Sequence, residues 1–219
     1  MKRKYTLAEI ESQLRKAAQA TGLGWGLAEE AGKAARWLAA YNLPGPELML
    51  SCLQQVDAES YRAHFPNCSA DHWQAGTEWL CPIASGAALS DRSHRMIDGV
   101  EFSLALCAYP LLLVAILGQA ARAQQTAFIA SWAGVQFTCF EDGIAVEGHR
   151  ADLLRARADW VHCRRSVATS PMLKQKPSFL AFALASDVWE AIDELASRTY
   201  APATEQSRAG AGAGLTDND

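Results

Sequence analysis

One polar segment carries the three side-chain types of a hydrolytic triad. Ser85, Asp91 and His94 lie close together in residues 81–95, a stretch rich in serine and arginine. Hydroxyl, carboxylate and imidazole groups perform nucleophilic and acid/base catalysis when a fold places them in contact. The stretch contains no GxSxG motif, so its spacing alone does not set a catalytic geometry. We interpret it as a loop that precedes the first core strand, either catalytic or simply polar and solvated.

A second candidate site surrounds Gly24 and Gly26, which precede a predicted helix. Glycine lets backbone N–H groups approach an anion closely, and a helix N-terminus favours negative charge. Glu29 and Glu30 follow these glycines. We predict Glu29 as a ligand-binding residue and Glu30 as an acid/base catalyst. A dinucleotide-binding loop requires a strand before its glycines, whereas a helix precedes these. A tight turn between two helices, with Glu29 paired to Lys33 on a solvated face, explains the same residues.

His64, Cys68 and His72 are four residues apart, the spacing of zinc ligands on one face of a helix. Pro66 interrupts that helix, and no second pair of ligands follows. A metal site at these residues is therefore the less favoured interpretation. Since no cofactor-binding fingerprint is present either, the motifs predict neither a metal nor a cofactor.

Glycine and alanine alternate after Arg208 in the C-terminal residues. Such a composition is typical of a mobile tail. Alternatively, glycine lets the tail fold back over a cleft, where Arg208 would bind an anionic ligand or the tail would contact another subunit. We predict a single domain over residues 1–200 and a Gly/Ala-rich tail over residues 201–219.

The elements that must position these residues are organised around residues 100–121, where no side chain after Glu101 is charged. Apolar residues alternate as far as Leu106, which is the period of a strand, and Pro110 then starts a helix. That helix is too short to cross a bilayer, so we favour a buried strand and helix over a membrane span.

The remaining elements follow from capping, periodicity and turn signals. A capping box at Thr6 and Glu9 starts a first helix, and small residues dominate the apolar face of the second. The other predicted elements are a short third helix from Pro46, a β-meander (128–132, 135–140, 144–147) with turns at Ala133-Gly134 and Asp142-Gly143, strands near 160–163 and 179–184 that extend its sheet, and a helix over 188–198 capped by Ser186-Asp187. The fold class is α+β, with N-terminal helices packed on a mainly antiparallel sheet, a buried central helix and a C-terminal helix.

The composition is that of a globular protein. Of 219 residues 50% are hydrophobic and 20% charged, and the net charge is −4 without a basic block, which disfavours nucleic acid and anionic membranes as partners. Six cysteines form no CxxC pair, and the N-terminus has no apolar signal core. We therefore expect reduced, buried thiols in a soluble cytoplasmic protein.

Two stretches, residues 24–34 and 207–219, resemble a bacterial family known only as a domain of unknown function. The resemblance implies a likeness over nearly the whole chain. It carries no activity, so none of the site residues above rests on it.

Two classes of function stay open. In the first, the protein is an enzyme, or a ligand-binding subunit of one, that acts on a small polar anionic metabolite through the residues named above. In the second, it is a non-catalytic accessory or oligomerisation protein whose small-residue helix and tail contact a partner subunit or another copy. Whether it is an enzyme at all is left open by the sequence.

Overall fold

The structure, a computed structural model, describes residues 1–57, 61–167, 174–178 and 180–199. Within these ranges the chain forms eight helices, eight strands and one 3-10 turn at Tyr61–His64. The helices are α1 (Leu7–Ala20), α2 (Trp25–Ala40), α3 (Gly45–Asp57), α4 (Pro82–Asp91), α5 (Ser93–Ile97), α6 (Pro110–Ala123), α7 (Arg150–Leu153) and α8 (Ser186–Ser197). The strands are β1 (Lys2–Tyr5), β2 (His72–Trp73), β3 (Phe102–Ala108), β4 (Phe128–Trp132), β5 (Val135–Phe140), β6 (Gly143–Gly148), β7 (Arg157–Arg165) and β8 (Phe182–Ala185).

The apolar stretch forms strand β3 and helix α6, as its pattern predicts. Pro110 occupies the first turn of α6, where its missing N–H is not needed. Every residue from Pro110 to Gly118 is buried, so α6 is the central helix of the core. Among the described residues, no helix has both the length and the apolar character that a membrane span requires.

The main sheet has six strands in the order β2-β3-β7-β4-β5-β6. Only β2 and β3 run parallel, and the other neighbours are antiparallel. The predicted meander is therefore confirmed as β4, β5 and β6, and the strand predicted near Trp160 inserts as β7 between β3 and β4. Helix α6 contacts β4, β5 and β7, which places the core between this helix and the sheet.

The strand predicted at residues 179–184 does not extend the main sheet. As β8 it pairs with β1, a strand at the N-terminus that the sequence did not predict, in a separate two-stranded sheet. The cap predicted for the following helix is also wrong, because α8 begins at Ser186 and its N-cap is Ala185. The Ser186 hydroxyl instead donates to the carbonyl oxygen of Met1 at 2.9 Å.

The second hairpin turns one residue earlier than the Asp-Gly signal predicts. Phe140 pairs with Gly143, which leaves Glu141 and Asp142 as the turn, and neither Asp142 nor Gly143 has a positive φ. Gly143 is required for another reason. A Cβ there would lie 2.6 Å from the carbonyl oxygen of Gln175, whose backbone pairs with the neighbouring Ile144.

Residues 81–95 are not a loop, which corrects the interpretation made from their polarity. They form α4 and the first part of α5, with Pro82 in the first turn of α4. Apolar residues in this segment reach the core, and the burial of Ile83 and Leu89 stabilises the helix against α6. Sequence polarity was misleading here because Ser85 and Ser93 are buried as well.

The N-terminal helices pack as their patterns predict. The Thr6 and Glu9 capping box is present, and the buried residues of α1 include Leu7, Ile10 and Leu14. Helix α2 buries its alanine-rich face against α1, α3 and α6. That face is already occupied within the molecule, so any subunit contact must use another surface.

Candidate functional site

The three residues of the predicted triad do not converge. Ser85 lies in the first half of α4 and is buried, and its Oγ has no hydrogen-bond partner among the described residues. Asp91 at the end of α4 and His94 in α5 are exposed. Because a nucleophile must contact both its base and its substrate, this arrangement does not assemble a Ser-His-Asp site.

The glycine turn does form part of a groove. Gly24, Gly26 and Glu30 line a depression of about 710 Å³, which we call the glycine-turn groove. Glu29 is exposed on the neighbouring face of α2, and Lys33 joins both glutamates, at 3.0 Å to Glu30 and 3.9 Å to Glu29. The fourth predicted ligand-binding residue, Arg208, lies outside the described residues together with the rest of the tail.

The walls of the glycine-turn groove are aromatic. Trp25, Tyr61 and Phe65 line it, and the side chains of Trp25 and Phe65 are 75% and 38% exposed. Arg62, the only cation among the described residues that line it, donates from Nε to the Tyr61 hydroxyl at 3.4 Å. The described lining thus has one guanidinium and one carboxylate, that of Glu30, and the groove is nearly neutral and apolar.

His64, Cys68 and His72 lie on three different local structures. His64 is buried at the end of the 3-10 turn and stacks on Trp79, with ring centroids 3.6 Å apart. His72 is exposed on β2, and Cys68 is half-buried in the connection. Among the described residues, no three His, Cys, Asp or Glu side chains are grouped so as to hold a metal ion.

The larger groove lies elsewhere, between α2, the C-terminal half of α6 and the β5–β6 hairpin. It has a volume of about 920 Å³, within the range of small-molecule sites, and we call it the α2–α6 groove. Residues 118–125 form one side, and Pro177 and the hairpin turn form another. Three distant parts of the chain meet at this site.

Trp37 is the largest side chain in the α2–α6 groove, and its indole packs directly against Gly118 of α6. A Cβ at Gly118 would lie 2.3 Å from Cζ2 of Trp37, so only glycine lets α6 approach the indole this closely. The Trp37 ring also packs on Tyr41, with centroids 4.5 Å apart and planes tilted by 51°. The half-buried indole is thus held in place along the groove.

The α2–α6 groove is lined by three cations, Lys33, Arg36 and Arg122. Arg36 is paired with Glu11 at 2.7 Å, and Lys33 with Glu30 at 3.0 Å. Arg122 makes no ion pair with a described residue and stands in the last turn of α6, where the helix dipole favours a cation. It is therefore the lining cation most available to an anion.

Tyr41 adds a hydroxyl group beside Arg122. Burial raises the pKa of Tyr41 to about 12, with further raising by Cys139 and Asp142, against a lowering by the positive charge of Arg122. The phenol therefore remains protonated at neutral pH and can donate a hydrogen bond. It cannot serve as a base under those conditions.

The segment after β7 closes one side of the α2–α6 groove. The Gln175 side chain donates to the carbonyl oxygen of Tyr41 at 2.7 Å, and the Ser178 backbone N–H donates to that of Ala40 at 2.6 Å. Lys174 forms an ion pair with Asp142 in the hairpin turn and lies 5.2 Å from the centroid of Phe140. These contacts join the β5–β6 hairpin, residues 174–178 and the C-terminal end of α2 into one wall of the groove.

A serine, a histidine and a glutamate do meet on the open face of the main sheet. The Ser103 hydroxyl lies 3.0 Å from Nδ1 of His162, and the Glu101 carboxylate lies 3.5 Å from the same nitrogen. A catalytic triad requires the serine and the carboxylate on opposite ring nitrogens. A carboxylate at Nδ1 favours a proton there, which leaves Ser103 to accept rather than to lose its own proton. We therefore do not place a hydrolytic site here.

Sequence reasoning missed Trp37, Tyr41, Gly118 and Arg122 as site residues. The sequence pattern assigns Trp37 and Tyr41 to an amphipathic helix. It assigns Arg122 to the end of the apolar central helix. The one available signal was Gly118, an isolated glycine inside an otherwise apolar helix, which often has a packing reason.

One comparison agrees with the part of the resemblance carried by residues 24–34, and the match reaches neither residues 207–219 nor the whole chain. Residues 5–85 match the model of a family described as a protein of unknown function (DUF3726). Similarity to a domain of unknown function is therefore confirmed over this region, which extends from the end of β1 into α4. No curated protein and no solved structure matches the chain. The matched region contains Trp37 and Tyr41 but not Gly118 or Arg122.

Proposed function

We propose that the protein binds a small anionic metabolite in the α2–α6 groove, as a cytoplasmic enzyme or as the ligand-binding subunit of one. The observation that carries the proposal is the convergence of Arg122, the Tyr41 hydroxyl and the Trp37 ring in a groove of about 920 Å³. A guanidinium and a protonated phenol suit a carboxylate or phosphate, and the indole suits the apolar part of a ligand.

Among the described charges that line the groove, ion pairs leave Arg122 as the unpaired cation and Glu141 as the unpaired carboxylate, and Arg122 is the group that would bind an anion. The two acidic lining residues are Glu141 and Asp142, and Asp142 is neutralised by Lys174. Arg122 has no such partner among the described residues. A bound anion would gain the interaction with Arg122 without first breaking an ion pair.

A cytoplasmic location is part of the proposal. All six cysteines are free, and five of them are buried. Burial raises the pKa of Cys139 to about 12, so that its thiol stays protonated and unreactive. Buried, reduced thiols suit a reducing compartment.

The test is thermal unfolding of the full chain against a panel of small carboxylates and phosphates. A ligand present at a hundred times its dissociation constant stabilises the folded state by about 2.7 kcal/mol, which is a readable shift in Tm. Arg122→Gln should weaken the response to the best anion by about tenfold in affinity, because a charge-assisted hydrogen bond is lost.

Arg62→Gln is the matched control, since it removes the same charge from the glycine-turn groove. We expect it to leave the response unchanged. If Arg122→Gln binds the anion as tightly as the wild type, or if Arg62→Gln weakens binding equally, the proposed site is wrong.

A second candidate function, an accessory or oligomerisation protein, is favoured by one observation. Trp25 and Phe65 expose large aromatic surfaces in the glycine-turn groove, as surfaces that bind a partner subunit do. Light scattering of Trp25→Ser and of a chain lacking residues 209–219 tests this candidate. A lower oligomeric state for either variant supports it, and an unchanged monomer for both contradicts self-association.

A further inference from the structure

We infer that the α2–α6 groove selects a flat, ring-containing anion over a puckered aliphatic anion of the same charge and size, with Trp37 as the specificity-determining residue. This inference rests on the proposed function, because it names the class of ligand for the same site. It depends on how Trp37 is held rather than on the presence of an aromatic residue alone.

The indole of Trp37 is fixed on the side of α6. A Cβ on Gly118 would meet Cζ2, Cε2 and Cη2 of Trp37 at 2.3, 2.8 and 3.0 Å, so the six-membered part of the ring lies directly on the α6 backbone. Tyr41, the C-cap residue of α2 and four residues after Trp37, packs against the same indole. Because Trp37 is half-buried and lines the groove, the exposed part of its fixed ring can contact a ligand at little conformational cost.

The β5–β6 hairpin supplies a second ring. Phe140, the last residue of β5, is half-buried and lines the same groove. Lys174 lies over the Phe140 ring, and its charge is neutralised by Asp142. Rings from α2 and from the hairpin therefore border the groove, and both favour aromatic over saturated carbon as a neighbour.

The anionic end of the ligand is located by the remaining polar groups. Arg122 and Tyr41 both line the groove, and the charge of Arg122 acts on the Tyr41 phenol. Gly118 and Arg122 are four residues apart on α6 and therefore share one face of that helix. A ligand whose ring lies on Trp37 would thus direct its carboxylate along α6 towards Arg122.

The experiment compares two carboxylates by isothermal titration calorimetry with the full chain. The probes are 2-naphthoate, which is flat, and decahydronaphthalene-2-carboxylate, which has the same carbon skeleton and charge but is puckered. We expect 2-naphthoate to bind about three- to tenfold more tightly, the ratio that an aromatic pair contributes.

Three variants assign the preference to Trp37. Trp37→Leu should reduce the ratio of the two affinities to about one, and Trp37→Phe should restore part of it. Trp25→Leu, which removes an indole from the glycine-turn groove, should leave the ratio at its wild-type value. Circular dichroism of each variant identifies any that is unfolded. If Trp37→Leu is unfolded, the ratio of affinities measured with Trp37→Phe still tests the role of Trp37.

The outcomes separate this inference from the proposed function. Equal affinity of the two probes, with both weakened by Arg122→Gln, overturns the ring preference and leaves the anion site standing. A preference that survives Trp37→Leu overturns the assignment to Trp37. Binding that Arg122→Gln does not change, or no binding of any anion tested, overturns the proposed function itself.

Discussion

The two grooves of this protein share helix α2 but differ in how their aromatic residues are held. In the glycine-turn groove, Trp25 is 75% exposed, and no heavy atom lies within 4 Å of a Cβ built on Gly26. In the α2–α6 groove, Trp37 rests on Gly118 so closely that no side chain fits between them. Trp25 is thus largely exposed, whereas Trp37 is held against α6, and on this difference we propose the second groove as the small-ligand site.

Electrostatics separates the grooves as well. Lys33 lines the α2–α6 groove and its partner Glu30 lines the other, so one ion pair of 3.0 Å joins them. Among the described lining residues, the α2–α6 groove has three cations and two carboxylates, and the glycine-turn groove has one of each. The anion site that we propose is thus distinct from the glycine turn, where the sequence predicts ligand contacts at Gly24 and Gly26.

The largest expected effect comes from adding one methyl group to each groove. Gly118→Ala forces Trp37 away from α6 and should destabilise the fold by about 1–2 kcal/mol, since overpacking exceeds the gain in helix propensity. Gly26→Ala adds its methyl group in open space in the first turn of α2 and should stabilise by up to about 1 kcal/mol. Urea unfolding of both variants measures the two free energies.

If Gly118→Ala lowers the free energy of unfolding and Gly26→Ala raises it, only the α2–α6 groove has a tightly fitted wall. Equal stability of Gly118→Ala and the wild type would show instead that Trp37 moves freely, and would remove the basis for preorganisation.

Alkaline pH should affect the α2–α6 groove through Tyr41. Burial raises the pKa of Tyr41 to about 12 in the folded protein, against about 10 for the phenol in an unfolded chain. Between these values the unfolded state loses the phenol proton and the folded state keeps it, so stability falls as pH rises above about 10. Tyr41→Phe should show a smaller loss of Tm from pH 9 to pH 11 than the wild type.

Tyr61→Phe, in the glycine-turn groove, is the control for this measurement. It should follow the wild-type curve, because the Tyr61 side chain is only partly buried whereas that of Tyr41 is buried. If Tyr41→Phe loses as much Tm as the wild type over this range, the burial of the Tyr41 hydroxyl is not the cause of the alkaline loss.

The smallest expected effect concerns Glu30, which the sequence predicts as an acid/base catalyst. Glu30→Gln removes the hydrogen-bonded partner that, more than any other group, raises the pKa of Lys33. Lys33 would then be freer to attract an anion, and we expect the affinity of the α2–α6 groove to rise by no more than about twofold, as for an exposed ion pair. Calorimetric titration with the anion that gives the largest Tm shift measures this change.

A large loss of anion binding in Glu30→Gln would contradict the assignment of the ligand to the α2–α6 groove. It would place the ligand in the glycine-turn groove instead. Glu29→Gln is the matched variant. Its carboxylate is 3.9 Å from Lys33 and more exposed, so its effect should be smaller still.

Much of the fold follows from local patterns. The alternation around Leu104 predicted β3, Pro110 predicted the start of α6, and the capping box predicted the start of α1. Each of these signals lies within a few residues of the element that it specifies. The segment 81–95 was misassigned because its serines suggested solvent, and only packing against α6 buries Ser85.

Pairings over long distances were not predictable. Strand β1 pairs with β8 at the other end of the described chain, and nothing in Lys2–Tyr5 identifies that partner. The same reason explains the missed site. Trp37, Gly118 and Asp142 come from a helix, a second helix and a hairpin whose meeting depends on the whole core.

The sequence by itself determined the fold class, the central strand and helix, and the apolar faces of the N-terminal helices, because hydrophobic periodicity and capping act between neighbours in the chain. The tertiary structure alone decided which residues share a groove, since that depends on contacts between elements far apart in sequence. It separated Ser85 from Asp91 and His94 by burial, and it placed Arg122 beside Tyr41. The glycine turn was visible in the sequence, but the charge that surrounds each groove was set by packing.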